Sequence, residues 1–315
     1  MPKTEWRLCR DGYGEALIAL GESDPRIVVL GADLSESTRA LWFKERFPER
    51  FFSFGIAEQN MLGAAAGLSL AGLIPFVSSY GVFLSGRAWD QIRTTICYSE
   101  LNVKLIGAHG GISVGADGAT HQALEDCALM RVLPNMTLVV PCDYHETRRA
   151  TMAAAQISGP VYIRYGRETV PVVTTADSPF ELGKAAVLRP GNDVSFIVNG
   201  YMVSQALAAA EILANAGISA RVINLHTLKP LDKQAIIDAA KQTGAIVTAE
   251  EHQLIGGLGS AVAEVTSTNY PVPLRMLGIP DTFGESGTPE QLLGKFGLTA
   301  ENLAITAQQL LKSKP

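Results

Sequence analysis

Short apolar runs alternate with longer stretches of mixed polarity along the first half of the chain. Ile27-Val-Val-Leu30, Val103-Lys-Leu-Ile106, Thr137-Leu-Val-Val140 and Val161-Tyr-Ile163 are compact runs rich in β-branched side chains, as expected of strands buried on both faces. Between them, Asp11 to Glu22, Ala57 to Ala71 and Tyr144 to Gln156 carry apolar residues at three- and four-residue intervals and are predicted helices. This alternation predicts a mostly parallel sheet covered on both sides, an α/β fold. The longest apolar run, Met61 to Val77, is rich in Ala and Gly and contains Pro75. It is short for a bilayer span and reads as a buried helix followed by a buried strand.

The pattern breaks between Val170 and Leu182, where Pro171, Thr174, Thr175, Asp177, Ser178 and Pro179 make a linker by composition. A second α/β unit is predicted after it. Its strands are Val194 to Val198, Ala220 to Ile223, Ala245 to Thr248 and Leu274 to Leu277, with helices near Ser204 to Asn215, Lys233 to Gln242 and Ser260 to Thr268. The expected organisation is a domain over 1–172, a linker over 173–182 and a smaller domain over 183–315. A length of 315 residues with 47% hydrophobic composition suits two cores.

Charge and cysteine usage narrow the classes of partner. With 26 basic and 31 acidic residues, net charge −5, there is no cationic surface on which a nucleic acid or an anionic membrane could release counterions, and neither is expected. Cys9, Cys97, Cys127 and Cys142 form no C-x-x-C pair and mostly sit in apolar stretches. They read as reduced core thiols, which favours the cytoplasm. The opening Met-Pro-Lys-Thr-Glu-Trp has no apolar core behind its charge and is not read as an export signal.

Three stretches carry candidate chemistry. In Phe54-Gly-Ile-Ala-Glu58-Gln59-Asn60 a carboxyl group opens a small-residue helix; it can simply favour the helix dipole or, if buried at a sheet edge, exchange a proton. Tyr80-Gly-Val-Phe83-Leu-Ser-Gly86-Arg87 spaces two aromatics for core packing or for a flat wall against a planar ring. His109-Gly-Gly-Ile-Ser-Val-Gly115-Ala-Asp117-Gly118-Ala-Thr120-His121-Gln122 follows a predicted parallel strand, where α/β sheets bind ligands; its glycines suit close approach and its histidines fit no common zinc spacing. His145, on a helix after a proline, reads as structural. Glu250-Glu251-His252 and Gly256-Gly257-Leu258-Gly259 suggest a strand, a loop and a helix start, but lack a full dinucleotide fingerprint or a P-loop lysine, and no phosphate is assigned there.

Taken in order, Gly55-Ile-Ala-Glu58-Gln59, the Tyr80/Phe83 segment, Gly115-Ala-Asp117-Gly-Ala-Thr-His121-Gln122 and Val161-Tyr-Ile-Arg164-Tyr resemble the pyrimidine-binding domain of the transketolase family. The remainder resembles that family's C-terminal domain. The resemblance implies the C-terminal subunit of a split transketolase, which moves a two-carbon ketol unit between sugar phosphates with thiamine diphosphate. Glu58 would meet the aminopyrimidine nitrogen, Phe83 would stack on the ring and Tyr80 would lie beside it. His109 and His121 would bond substrate oxygens and move protons, Asp117 would read a donor hydroxyl, and Arg164 with Ser37, and Arg10 as a further candidate, would hold the substrate phosphate.

Two departures carry weight. Family members often have a second aromatic where this chain has Gly86, so Tyr80 or another subunit would complete the wall. Nothing matches the Gly-Asp-Gly and distant Asn that hold magnesium and diphosphate in this family; the nearest string, Ala116-Asp117-Gly118, belongs to the substrate loop. The resemblance therefore implies that Mg2+ ligands come from a separate N-terminal subunit, in an α2β2 assembly. Rival readings are the β subunit of a 2-oxo acid dehydrogenase, a 1-deoxyxylulose-phosphate synthase fragment and a scaffold subunit that has lost its chemistry.

Overall fold

A computed structural model describes residues 5–312; Met1 to Thr4, most of the stretch read as no export signal, and the last three residues lie outside it. Its strands are β1 (Trp6–Leu8), β2 (Ile27–Gly31), β3 (Phe51–Ser53), β4 (Ile74–Tyr80), β5 (Lys104–Ala108), β6 (Thr137–Val139) and β7 (Val161–Arg164). They continue with β8 (Thr169–Pro171), β9 (Ala186–Arg189), β10 (Val194–Val198), β11 (Ala220–Asn224), β12 (Thr227–Lys229), β13 (Ile246–Gln253) and β14 (Leu274–Ile279). One seven-stranded sheet runs β12-β6-β7-β5-β4-β2-β3, parallel except at β12. A five-stranded sheet runs β14-β13-β10-β11-β9, with β9 antiparallel. The predicted two-unit α/β architecture is therefore present.

Side chains alternate across the pleat of the larger sheet and feed two cores. Val28, Leu30, Val77 and Leu105 face one way with Met61, Leu62 and Ala65. Ile27, Val29, Phe76 and Ile106 face the other with Tyr13, Leu17 and Ala150. Both faces being covered explains why these strands read as unbroken apolar runs. The helix Tyr144–Gln156 starts where predicted, its N-cap Asp143 accepting a hydrogen bond from the Glu146 N–H.

Three expectations need adjustment. The Met61–Val77 run does divide into a helix, Glu58–Leu70, and the wholly buried β4, but the helix is buried on one side only: Gly63 and Gly67 are exposed and Leu70 is 76% exposed. Second, β12 lies beyond the linker yet pairs with β6 and completes the first sheet. Third, a C-terminal helix, Ala300–Lys312, packs Leu303, Ala304, Ala307 and Leu310 into the second core and adds to the predicted elements.

Candidate active site

Parallel strands end their carboxyl termini along one edge, where loop backbone and side chains meet outside the sheet. Ser37 follows β2, Glu58 follows β3, Tyr80 ends β4, His109 follows β5, and Arg164 ends β7. The topology thus gathers residues far apart in sequence without any of them leaving its own strand-to-helix junction.

Glu58 is the first residue of its helix and only 3% exposed. Its Oε1 accepts from Arg87 Nη1 at 3.1 Å. The Arg87 guanidinium also lies over the Phe83 ring, 4.0 Å from its centre. From Phe83 the aromatic surface continues: its ring stacks near Tyr80 at 5.9 Å and meets the His121 ring edge-on at 5.2 Å. Tyr80 in turn stacks on His109, centroids 4.2 Å apart. Beside Phe83, Gly86 has no atom within 4 Å of where a side chain would begin, so the wall stays open there.

His109 is buried and holds a left-handed backbone, φ 56°, a conformation uncommon for a residue with a side chain. Neither ring nitrogen makes a well-formed hydrogen bond, and the Ser37 backbone acts on the ring only weakly. Burial, followed by the nearby charges of Arg10 and Arg167, pushes its pKa down to about 3, so the ring is neutral. Arg10 donates to the Ser37 carbonyl at 3.2 Å, and its buried Nε has no partner. Arg167 pairs with Asp117 at 2.8 Å and donates to the Val114 carbonyl at 3.2 Å. His121 Nδ1 shares a hydrogen bond of 2.9 Å with Thr120 Oγ1.

The loop carrying these groups is pinned to the second unit. The Ser113 N–H donates to Glu251 Oε1 at 3.0 Å, and Gln122 Nε2 donates to the Glu285 carbonyl at 2.9 Å. Gly111, at φ 98°, passes so close that a Cβ there would lie 2.9 Å from that of Glu251.

Of the sequence-predicted residues, Glu58, Tyr80, Phe83, His109, His121, Asp117, Ser37 and Arg10 come together. Arg164 does not serve as predicted. It is buried, its Nε pairs with Asp126 at 3.2 Å, and its Nη2 donates to the carbonyls of Ala123 and Glu251 at 3.1 and 2.7 Å. Its guanidinium is spent inside the protein, and the partly exposed cation beside the loop is Arg167, three residues on. Arg87 was likewise not singled out by its sequence context. At the glycine cluster Glu250 accepts from the N–H groups of Leu258 and Gly259 at 2.6 and 2.8 Å, so the protein's own carboxylate fills that helix start.

The buried carboxyl of Glu58, the half-buried ring of Phe83 and the space at Gly86 are a fitting set for a flat aminopyrimidine. Among the described residues, a diphosphate and its metal find no comparable seat. Among the described residues one cluster could gather ligand atoms for an ion, Asp126, Cys127 and His252. There Asp126 is held by Arg164 and Tyr162, and His252 by the Ala128 N–H and the Gln253 carbonyl.

Residues 7–173 match the family model for the transketolase pyrimidine-binding domain, and residues 183–303 match that for the transketolase C-terminal domain. The chain belongs to the transketolase family. Within it, this chain is similar to the 6-deoxy-6-sulfo-D-fructose transketolase subunit of Clostridium sp. strain MSTE9, 43% identical over 312 residues, covering 99% of this chain and 97% of that one. It is also similar to a subunit of the apulose-4-phosphate transketolase of Phocaeicola vulgatus, 39% identical over 305 residues, covering 96% and 97%. A solved structure described as a split gene transketolase, inactive beta4 tetramer, superposes with a TM-score of 0.92 at 52% identity, covering 98% of this chain and 99% of that one. Near full-length matches to proteins named as subunits and to a split gene transketolase, with the two matched domains, make this a transketolase-family C-terminal subunit.

Proposed function

We propose that this transketolase subunit moves a two-carbon ketol unit from a ketose phosphate to an aldose phosphate with thiamine diphosphate, together with a separate N-terminal subunit. The observation that carries the reading is one continuous line of groups, from Glu58 through Phe83, Tyr80 and His121 to His109, Arg10 and Arg167. In this reading it supplies a ring seat, proton carriers and an anion site along a single sheet edge. The cofactor supplies the carbon nucleophile for breaking and making the carbon–carbon bond.

This chain's residues act around it. Glu58 shares a proton with the pyrimidine nitrogen and Phe83 supplies a flat face, with Tyr80 beside it. Thr120 engages Nδ1 of His121, which leaves Nε2 to move a proton at a substrate oxygen. His109, neutral, bonds substrate hydroxyls, and Asp117 reads a donor hydroxyl. Arg167, Arg10 and Ser37 hold the terminal anion in place of the Arg164 role first expected. Relatives named for a sulfo-sugar and a sugar phosphate support an anionic ketose as the substrate class.

Mg2+ and the diphosphate fall to the N-terminal subunit in this reading, since the one cluster of ligand-type side chains among the described residues is engaged internally. An α2β2 assembly follows in this reading, and the four buried free thiols favour the cytoplasm as its compartment. The test is to mix the chain with its cognate N-terminal subunit, thiamine diphosphate and Mg2+ and to assay transfer from a ketose phosphate to an aldose phosphate. Transfer only in the mixture is expected. Failure of the complete mixture would overturn the reading.

A further inference from the structure

Arg87 has no part in the roles proposed above, yet it touches both groups on which the ring seat depends. It ends the helix Gly81–Arg87, one turn beyond Phe83, and its carbonyl is fixed by Gln59 Nε2 at 2.9 Å. Its side chain is not so fixed: it is 47% exposed, against 3% for the Glu58 carboxyl it meets, and Gly86 beside it leaves open space. A guanidinium is planar and delocalised, as an aminopyrimidine is, and it donates to a carboxylate through N–H groups as that ring does once its ring nitrogen is protonated. The side chain therefore makes, on Phe83 and on Glu58 Oε1, the two kinds of contact a pyrimidine ring would make. A buried carboxylate with no partner would be costly, so the ion pair also gives Glu58 a reason to keep its position.

We propose that Arg87 is a lock on the pyrimidine seat, pairing with Glu58 and covering Phe83 until it swings toward solvent to admit a 4-aminopyrimidine ring. The inference rests on the reading of Glu58 and Phe83 as pyrimidine contacts. In this proposal the pyrimidine takes the face of Phe83 that the guanidinium now covers, 4.0 Å from the ring centre, so the two compete for the same space rather than for a single lone pair. The lock thus taxes affinity by the fraction of subunits in which it is closed.

The test uses the full chain and the ring fragment 4-amino-5-hydroxymethyl-2-methylpyrimidine as probe, titrated by calorimetry or ligand-observed NMR. Arg87→Ala is expected to bind the fragment about ten-fold more tightly than the parent chain, the gain when a seat closed nine-tenths of the time is opened. Arg87→Lys, which keeps a charge for Glu58 but cannot lie flat on Phe83, is expected to show a smaller gain and serves if the alanine variant fails to fold. Adding Glu58→Gln to either variant should remove the gain. If the parent chain binds the fragment in a Glu58-dependent way and as tightly as both Arg87 variants, the lock is wrong and the seat stands. If no form shows Glu58-dependent binding, both are wrong.

Discussion

Glu58 and His109 are both buried polar groups at strand ends, and they are held by opposite means. Glu58 has an ion-pair partner, whereas His109 is neutral because burial and two nearby guanidinium groups oppose its proton. Replacing Glu58 by Gln is expected to leave circular dichroism unchanged and to lower turnover of the assembled enzyme by at least about 100-fold, the scale of a lost acid/base group. Near-normal turnover would remove the role. For His109 the folded pKa, about 3, lies below the ordinary 6.5. The unfolded chain then binds more protons between those values, so this residue makes stability rise with pH across that window and fall as pH drops through it. Its ring-proton NMR signal should stay fixed from roughly pH 5 to 8, and a midpoint near the ordinary histidine value would contradict the burial argument. Most of the site was legible from the order of short motifs. Arg167 was not, because Arg164-Tyr-Gly-Arg167 offers two cations three residues apart and only the chain's course after β7 decides which one faces the loop. Arg87 was not either, because an arginine ending a helix is the ordinary complement to its dipole.

Among the elements, β7 and its flanking turn separate a buried, internally paired arginine from a partly exposed one beside the loop. Arg164→Ala would strand the Asp126 carboxylate, which is wholly buried, and is expected to cost about 3–5 kcal/mol in urea unfolding. Arg167→Ala should leave the unfolding midpoint nearly unchanged and raise KM for phosphorylated sugars several-fold more than for unphosphorylated analogues. Equal KM effects on both substrate types would dismiss the anion role. Interior parallel strands were readable because both faces are buried and the sequence runs apolar without a break. Strand β3 was not, being three residues long and largely exposed, and β12 was hidden because its partner β6 lies far earlier in the chain, on the other side of the linker. The Ala300–Lys312 helix carries the same three- and four-residue spacing as the predicted helices, in Leu303, Ala307 and Leu310.

At the scale of the molecule, the proposed sharing of the site between two subunits can be tested together with the exposed apolar side chains at the ends of one helix. The purified chain is expected to bind thiamine diphosphate weakly and to give no ketol transfer until the N-terminal subunit and Mg2+ are added, as calorimetry and a coupled assay would measure. Tight binding and full turnover by the chain alone would overturn the split-enzyme reading. Ile56 is 73% exposed just before the helix Glu58–Leu70, and Leu70 ends that helix bare. Sedimentation of the chain alone should show self-association that shifts when the partner is supplied.

Strand β12 belongs by sequence to the second unit and by hydrogen bonding to the first, with Thr227 opposite Val139 and Lys229 opposite Leu138. A gene broken at the linker would encode one fragment whose sheet lacks its last strand and another carrying a strand with nothing to pair with. The two halves, matched by separate family models, are thus stitched together by a strand that a break at their visible seam would orphan.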